Sequence, residues 1–319
     1  MEINEVEELG KKIKNNIEKV IVGKASIIDI LITALIAGGH VLLEDVPGTG
    51  KTVLAKTLAK SIGVTFKRVQ FTPDLLPSDL TGINYFNQKE GEFVLRRGPV
   101  FTNILLSDEI NRATPRTQSS LLECMEEKQV TIDGVTYGLE APFFVIATQN
   151  PVETQGTFPL PEAQLDRFLI KTGMGYPNLE DGKKILERFI LDNPFKDLKS
   201  VCTSEEITDA SLAAKKVYIA SALLEYILRL VEETLNNPSI ILGCSPRGSL
   251  ALMRASQVYA ALKGRNYVIP EDIKFLAKFV LAHRLILKDS IKIKGVTGEK
   301  IISDILETVT VPTENWKEE

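Results

Sequence analysis

The chain has 319 residues, 44% of them hydrophobic, which is enough for one sizeable α/β core with a smaller second domain and excludes a disordered chain. Its 38 lysines and arginines stand against 42 acidic residues, a net charge of −4, so no bulk basic field holds a polyanion and non-specific nucleic-acid binding is disfavoured. The three cysteines, Cys124, Cys202 and Cys244, form no C-x-x-C pair, which disfavours a disulfide framework and a zinc site and fits a reducing, cytoplasmic compartment.

The N-terminal MEINEVEELGKK is acidic and amphipathic and lacks the order of a secretory signal. The most apolar stretch, 27–43, is broken by Asp29, Thr33, Gly38, Gly39 and His40, so it reads as a buried helix, a turn and a buried strand with no membrane insertion. From there short β-type runs (HVLLE at 40–44, TFKRVQF at 65–71, NILLS at 103–107, FFVIAT at 143–148, FLIKT at 168–172) alternate with helical segments such as 51–62 and 114–127. That alternation predicts a parallel sheet covered by helices. Two β-hairpins are inserted in this half. One spans 129–137 around Asp133-Gly134, and the other joins 83–85 to 93–95 through Gln88-Lys89-Glu90-Gly91. After Tyr176-Pro177 the pattern turns helical, with helices expected near 179–191, 204–217, 219–236, 246–263, 270–285 and 298–308. The expected domains are therefore 1–175, an αβα domain, and 176–319, a helical lid. Trp316, in a polar tail, is a partner contact or a solvated terminus.

The strand at 40–44 runs into Asp45-Val46-Pro47-Gly48-Thr49-Gly50-Lys51-Thr52 and then a helix, the order a phosphate-binding loop needs. Glycines let successive backbone N–H groups turn inward around phosphate oxygens, and the helix N-terminus adds its dipole. Lys51 would reach the β- and γ-phosphates and Thr52 would ligate Mg²⁺. The strict G-x-x-x-x-G-K-[ST] pattern places glycine where this chain has Asp45.

The apolar strand at 103–107 ends in Asp108-Glu109, either solvated acids leaving the core or a pair in which Asp108 holds Mg²⁺ through water and Glu109 polarises the attacking water. The strand at 143–148 ends at Gln149-Asn150-Pro151, where Asn150 either starts a turn or orients that water. All three residues fall at strand carboxyl ends, the edge where open parallel sheets bind ligands. The two histidines, His40 and His283, lie in a strand and a helix and leave no place for a Ser-His-Asp site.

With these residues placed, the chain resembles the MoxR family of AAA+ ATPases from about Ile21 to Leu287. The motifs read IVGK (21–24), LLEDVPGTGKT (42–52), ILLSDEINRATPRTQSSLLECMEE (104–127), ATQNPVETQGTFPLPEAQLDRF (147–168) and SPRGSLAL (245–252). The resemblance implies a P-loop NTPase core with strand order 5-1-4-3-2, two hairpin inserts and an all-α lid. It also implies a homo-oligomeric ring, usually a hexamer, in which ATP hydrolysis remodels or matures a client protein, often one with a von Willebrand factor A domain. ATP and Mg²⁺ are the implied ligands, held by Pro47, Gly48, Thr49, Gly50, Lys51, Thr52 and Val53, and Ile21, Val22 and Gly23 resemble the adenine-side contact, unless that apolar pair before a helix is plain core. Arg167 resembles the arginine finger that enters a neighbour's site, unless it pairs with Asp166 or Glu162, and Arg112 or Arg116 are lesser candidates. Arg247 resembles the lid's second sensor, in the first turn of a helix capped by Ser245 with Pro246 at its first position, unless it is simply exposed there.

Two other functions compete. A nucleic-acid motor of the same clade would want basic hairpins, yet the Asp133 hairpin is barely charged and Lys89, Arg96 and Arg97 alone mark the other. A nucleotide-gated scaffold with little hydrolysis has no need of Glu109, Asn150 and Arg167 together.

Overall fold

The computed structural model describes residues 1–151, 156–190 and 193–312. Trp316 and positions 152–155 of the motif at 147–168 lie outside the described residues. In chain order the first elements are α1 (Ile3–Glu18), α2 (Ala25–Ile36), β1 (Val41–Glu44), α3 (Lys51–Ser61), β2 (Phe66–Gln70) and α4 (Pro77–Thr81). The β3 (Gly82–Asn87) and β4 (Glu92–Arg97) hairpin follows, then β5 (Ile104–Asp108), α5 (Pro115–Glu127) and the hairpin of β6 (Gln129–Ile132) with β7 (Val135–Gly138). Next come β8 (Phe144–Gln149), α6 (Glu162–Leu165), β9 (Ile170–Thr172) and α7 (Leu179–Phe189). The remainder is α8 (Ser204–Ala214), α9 (Ser221–Asn236), β10 (Ile240–Leu242), α10 (Pro246–Leu262), α11 (Pro270–Leu281), β11 (Ile286–Leu287), α12 (Asp289–Lys292) and α13 (Gly298–Thr308).

The chain forms two compact units. One comprises Lys12–Phe168 with Thr172–Thr208, and the other Met1–Lys11, Leu169–Lys171 and the chain from Asp209 onward. The segment after β9 packs on the sheet-bearing unit through α3: Val201 N donates to Ser61 O at 2.8 Å, and Lys60 Nζ donates to Phe195 O at 2.8 Å.

The main sheet has five strands in the order β2-β5-β8-β1-β9, and β2, β5, β8 and β1 pair in parallel. Counted along the chain as core strands, this is the expected 5-1-4-3-2 order. Residues 104–106 of β5 and 144–147 of β8 are buried apolar runs, as a parallel strand covered on both faces requires, and each gives way to polar residues at its carboxyl end. β2 is the edge, where Lys67, Arg68 and Gln70 are exposed and Val69 is buried. Leu105, Val145, Leu121, Leu122, Met125 and Phe168 meet in one apolar cluster beneath the strands' carboxyl ends.

Register decides what gathers at that edge. Glu44 lies opposite Gln149, Gln70 opposite Asp108, and Ser107 opposite Ala147, so four strands end level with one another. The second unit is built from α9, α10, α11 and α13, whose buried residues recur at helical spacing (Leu223, Tyr226, Ile227, Leu230; Ile273, Leu276, Val280). Among the described residues no helix is long and apolar enough to cross a membrane.

Candidate active site

The loop between β1 and α3 turns on two glycines. Gly48 has φ +82 and Gly50, the residue before α3, has φ +91, a left-handed conformation that a side chain would strain. Lys51 then begins α3 with its ammonium folded back over the loop, donating to the carbonyls of Asp45 and Val46 at 3.0 Å each. The loop and the level strand ends enclose a cleft of about 370 Å³.

Asp108, at the end of β5, is 9% exposed and has both oxygens engaged. Oδ1 accepts the Thr148 hydroxyl at 2.6 Å, and Oδ2 accepts Arg68 Nη2 and Nε at 2.6 and 3.1 Å. Glu109 stands next at φ +56, a strained position for a residue with a side chain. Its amide donates to Thr148 Oγ1 at 2.9 Å, and its Oε2 accepts Gln70 Nε2 at 2.7 Å and Arg112 Nη1 at 3.1 Å. Non-helical backbone here aims Glu109 into the cleft, where a continued strand would have turned it to the opposite face from Asp108.

Pro47, Gly48, Thr49, Gly50, Lys51, Thr52, Val53, Asp108, Glu109 and Asn150 all line the cleft. Asn150 is 7% exposed. The other sequence candidates, Arg112 among them, do not line it. Ile21 and Val22 are buried, and Gly23, at φ +69, lies against the Asp181 carboxylate of α7. Arg167 follows α6 and pairs with Glu126 of α5 at 3.1 Å, a partner on another helix where the sequence offered Asp166 or Glu162. Arg247 is exposed in the first turn of α10 in the other unit, with Ser245 at the N-cap and Pro246 at the first position. Arg116 is exposed on α5.

Residues 40–170 match the family model described as the ATPase family associated with various cellular activities (AAA), and 232–305 match an AAA lid domain. Over 308 residues the chain is 39% identical to Chaperone MoxR1 of Mycobacterium tuberculosis, a match that covers 94% of this chain and 81% of that protein. The chain belongs to the MoxR family of AAA+ ATPases. Protein YeaC of Bacillus subtilis is 51% identical over 96% of this chain and 95% of its own length. The crystal structure of a candidate ATPase from Cytophaga hutchinsonii superposes with a TM-score of 0.89 at 40% identity, covering 98% of this chain and 96% of that one.

This MoxR-family cleft also contains four residues that sequence reasoning passed over: Arg68, Gln70, Thr148 and Gln149. Arg68 and Gln70 are two apart on β2 and so share a face, and Arg68 Nη2 donates to Gln70 Oε1 at 2.9 Å. Their period was visible, but their proximity to the acids comes from the β2–β5 register. Outside the cleft, His40 accepts the Val145 amide on Nδ1 and meets Met125 O through Nε2, each at 3.0 Å, and burial lowers its pKa to about 4. It is a neutral structural residue, as the histidine inventory suggested.

Proposed function

We propose that this chain binds ATP with Mg²⁺ in the cleft at the carboxyl edge of the sheet and hydrolyses it, as a subunit of a homo-oligomeric ring, in order to remodel or mature a client protein. The observation that carries the reading is the convergence of Lys51, Asp108, Glu109 and Asn150 on one cleft. A lysine at a glycine-rich helix start, facing two carboxylates and an amide at neighbouring strand ends, supplies the groups that triphosphate hydrolysis uses.

In this reading the backbone N–H groups of Gly48–Thr52 cradle the phosphates, and the Lys51 ammonium exchanges the Asp45 and Val46 carbonyls for phosphate oxygens. Among the described residues no group of three or more His, Cys, Asp or Glu side chains is placed to hold a metal. The Thr52 hydroxyl and the Asp108 carboxylate, both in the cleft, are the hard oxygen donors that Mg²⁺ takes alongside substrate phosphates, and they would hold it here. When bound, the ion neutralises charge on the transferring phosphoryl group. Glu109 accepts the proton of the attacking water and Asn150 orients that water. Gln70 and Arg112, which hold the Glu109 carboxylate, must release it for this step.

Arg167 acts on a neighbour's nucleotide, where a planar guanidinium is worth about 10³–10⁵ in rate. Arg247 senses the nucleotide from the lid. A protein client is supported by the relative named Chaperone MoxR1 and by the β3–β4 hairpin, where Ile83, Phe86 and Phe93 are exposed and the two phenylalanine rings meet edge to face at 5.4 Å. Such a surface suits apolar chain better than phosphate backbone. A hexameric ring, a client with a von Willebrand factor A domain and a cytoplasmic setting complete the proposal on family grounds.

The test is steady-state phosphate release by wild-type protein and Glu109→Gln. The variant should keep nucleotide binding and lose turnover, whereas wild-type turnover in the variant would remove Glu109 from the mechanism.

A further inference from the structure

The position that a strict phosphate loop gives to glycine is held by Asp45, which is buried and turned toward the chain that follows β9. Its Oδ2 accepts the amides of Met174 and Gly175 at 2.8 and 2.9 Å, and its Oδ1 accepts the Val46 amide at 2.9 Å. Met174 is buried, so a glycine at position 45 would strand its N–H away from an acceptor. The departure from the strict motif thus supplies what the turn at 174–175 requires.

The same residue faces the phosphate loop through its main chain. Lys51 Nζ is held by the Asp45 and Val46 carbonyls, and Asp45 N donates to Gln149 O at 3.1 Å. From the other side, Lys24 Nζ donates to the carbonyls of Gly175 and Tyr176 at 3.1 and 3.3 Å. Gly173 lies so close to β1 that a Cβ there would meet Glu44 O at 2.8 Å, and Gly175 turns at φ +62. Residues 173–176 are therefore clamped between the phosphate loop and the IVGK motif.

We propose that Asp45 is a positioning residue that couples occupancy of the phosphate loop to the conformation of residues 173–176; the inference rests on the nucleotide reading above. A phosphate that claims the Lys51 ammonium removes the donor shared by the Asp45 and Val46 carbonyls. The peptide between them can then rotate, and the Asp45 carboxylate moves with it. Because the turn runs directly into α7, nucleotide entry is transmitted along the chain beyond the loop.

Amide hydrogen exchange at Met174 and Gly175, with and without a non-hydrolysable ATP analogue and Mg²⁺, tests the coupling. In the wild-type chain both amides exchange slowly and the analogue changes their rates. In Asp45→Gly they exchange at least about tenfold faster without nucleotide. The analogue then has no further effect on them, and KM for ATP rises by a larger factor than kcat falls. Asp45→Asn keeps shape and one acceptor oxygen, and because Oδ2 alone serves both amides, that oxygen in its place restores protection at Met174 and Gly175 together. Wild-type exchange at both amides in Asp45→Gly overturns the proposal, as does an analogue effect that survives in full in that variant. A wild-type chain that binds the analogue with no change at 174–175 sinks the coupling alone, whereas one that binds no analogue sinks the nucleotide reading as well.

Discussion

Thr148 donates its hydroxyl to Asp108 Oδ1 at 2.6 Å across the ladder between β5 and β8, and Thr148 Oγ1 in turn accepts the Glu109 amide at 2.9 Å. One side chain, 1% exposed, thus orients both acids of the cleft. Thr148→Val keeps the shape but removes the donor and acceptor together, leaving a buried amide and a carboxylate oxygen short of partners. Stability should fall by about 2 kcal/mol in denaturant unfolding, and kcat should fall with it because Glu109 no longer holds its left-handed conformation. Thr148→Ser should recover most of both.

A second prediction concerns the helical unit. Arg265 meets Asp272 through two nitrogens, at 2.8 and 2.6 Å, and Asp272 Oδ2 also accepts the Ile269 amide at 3.0 Å at the start of α11. The Asp272 side chain is 3% exposed, so removing its partner leaves a buried, uncompensated charge. Arg265→Ala is expected to cost about 3–5 kcal/mol, measured by denaturant titration. Asp272→Asn with Arg265→Ala, which removes both charges, should cost less than Arg265→Ala alone.

The pH dependence of stability should carry a mark from His40. Its pKa falls from 6.5 to about 4 on folding, mainly through burial. Below pH 6.5 the unfolded chain takes up a proton that the folded chain refuses until about pH 4, so stability is lost as pH drops through that window. The full loss is about 3 kcal/mol. Urea unfolding at several pH values should show this slope in the wild-type chain, and His40→Gln should flatten it by a similar amount.

Thiol labelling offers a further check on the core. Burial pushes the thiols of Cys124 and Cys202 up to about 12, with Glu123 and Glu206 adding to it. Neither should react with an alkylating reagent at pH 8 except through unfolding, so labelling should track denaturant concentration. Rapid labelling in native buffer would contradict this packing.

The arginine finger is tested by mixing. Subunits carrying Arg167→Ala and subunits carrying Lys51→Ala, each inactive alone, should regain hydrolysis when combined, since some interfaces then pair an intact phosphate loop with an intact arginine. Mixtures no more active than either variant would leave Arg167 with only its Glu126 ion pair.

Much of this architecture was legible in the residues. Asp133 and Gly134 adopt φ +49 and +81, the left-handed pair that a two-residue hairpin demands, and the runs around them pair as β6 and β7. The buried strands announced themselves by unbroken apolar content, and α10 by Ser245-Pro246. Short elements were not visible: α4 and α6 span five and four residues, too few for a helical period, and β10 pairs with β11 across an irregular register that local pattern does not encode. Within the cleft, Lys51, Asp108, Glu109 and Asn150 were readable because each sits where a local pattern ends. Arg68, Gln70 and Thr148 were not, because their roles come from register between strands distant in sequence. Asp45 looked like a departure from motif until the fold supplied Met174 and Gly175 as its partners.

The most direct test of the account is calorimetric titration of the wild-type chain and Lys51→Ala with ATP and Mg²⁺, using Glu109→Gln as a background that suppresses turnover. Saturable binding that disappears with the Lys51 ammonium is the predicted result. Equal affinity in both proteins, or no heat from the chain with Lys51 intact, would contradict the placement of the nucleotide in this cleft.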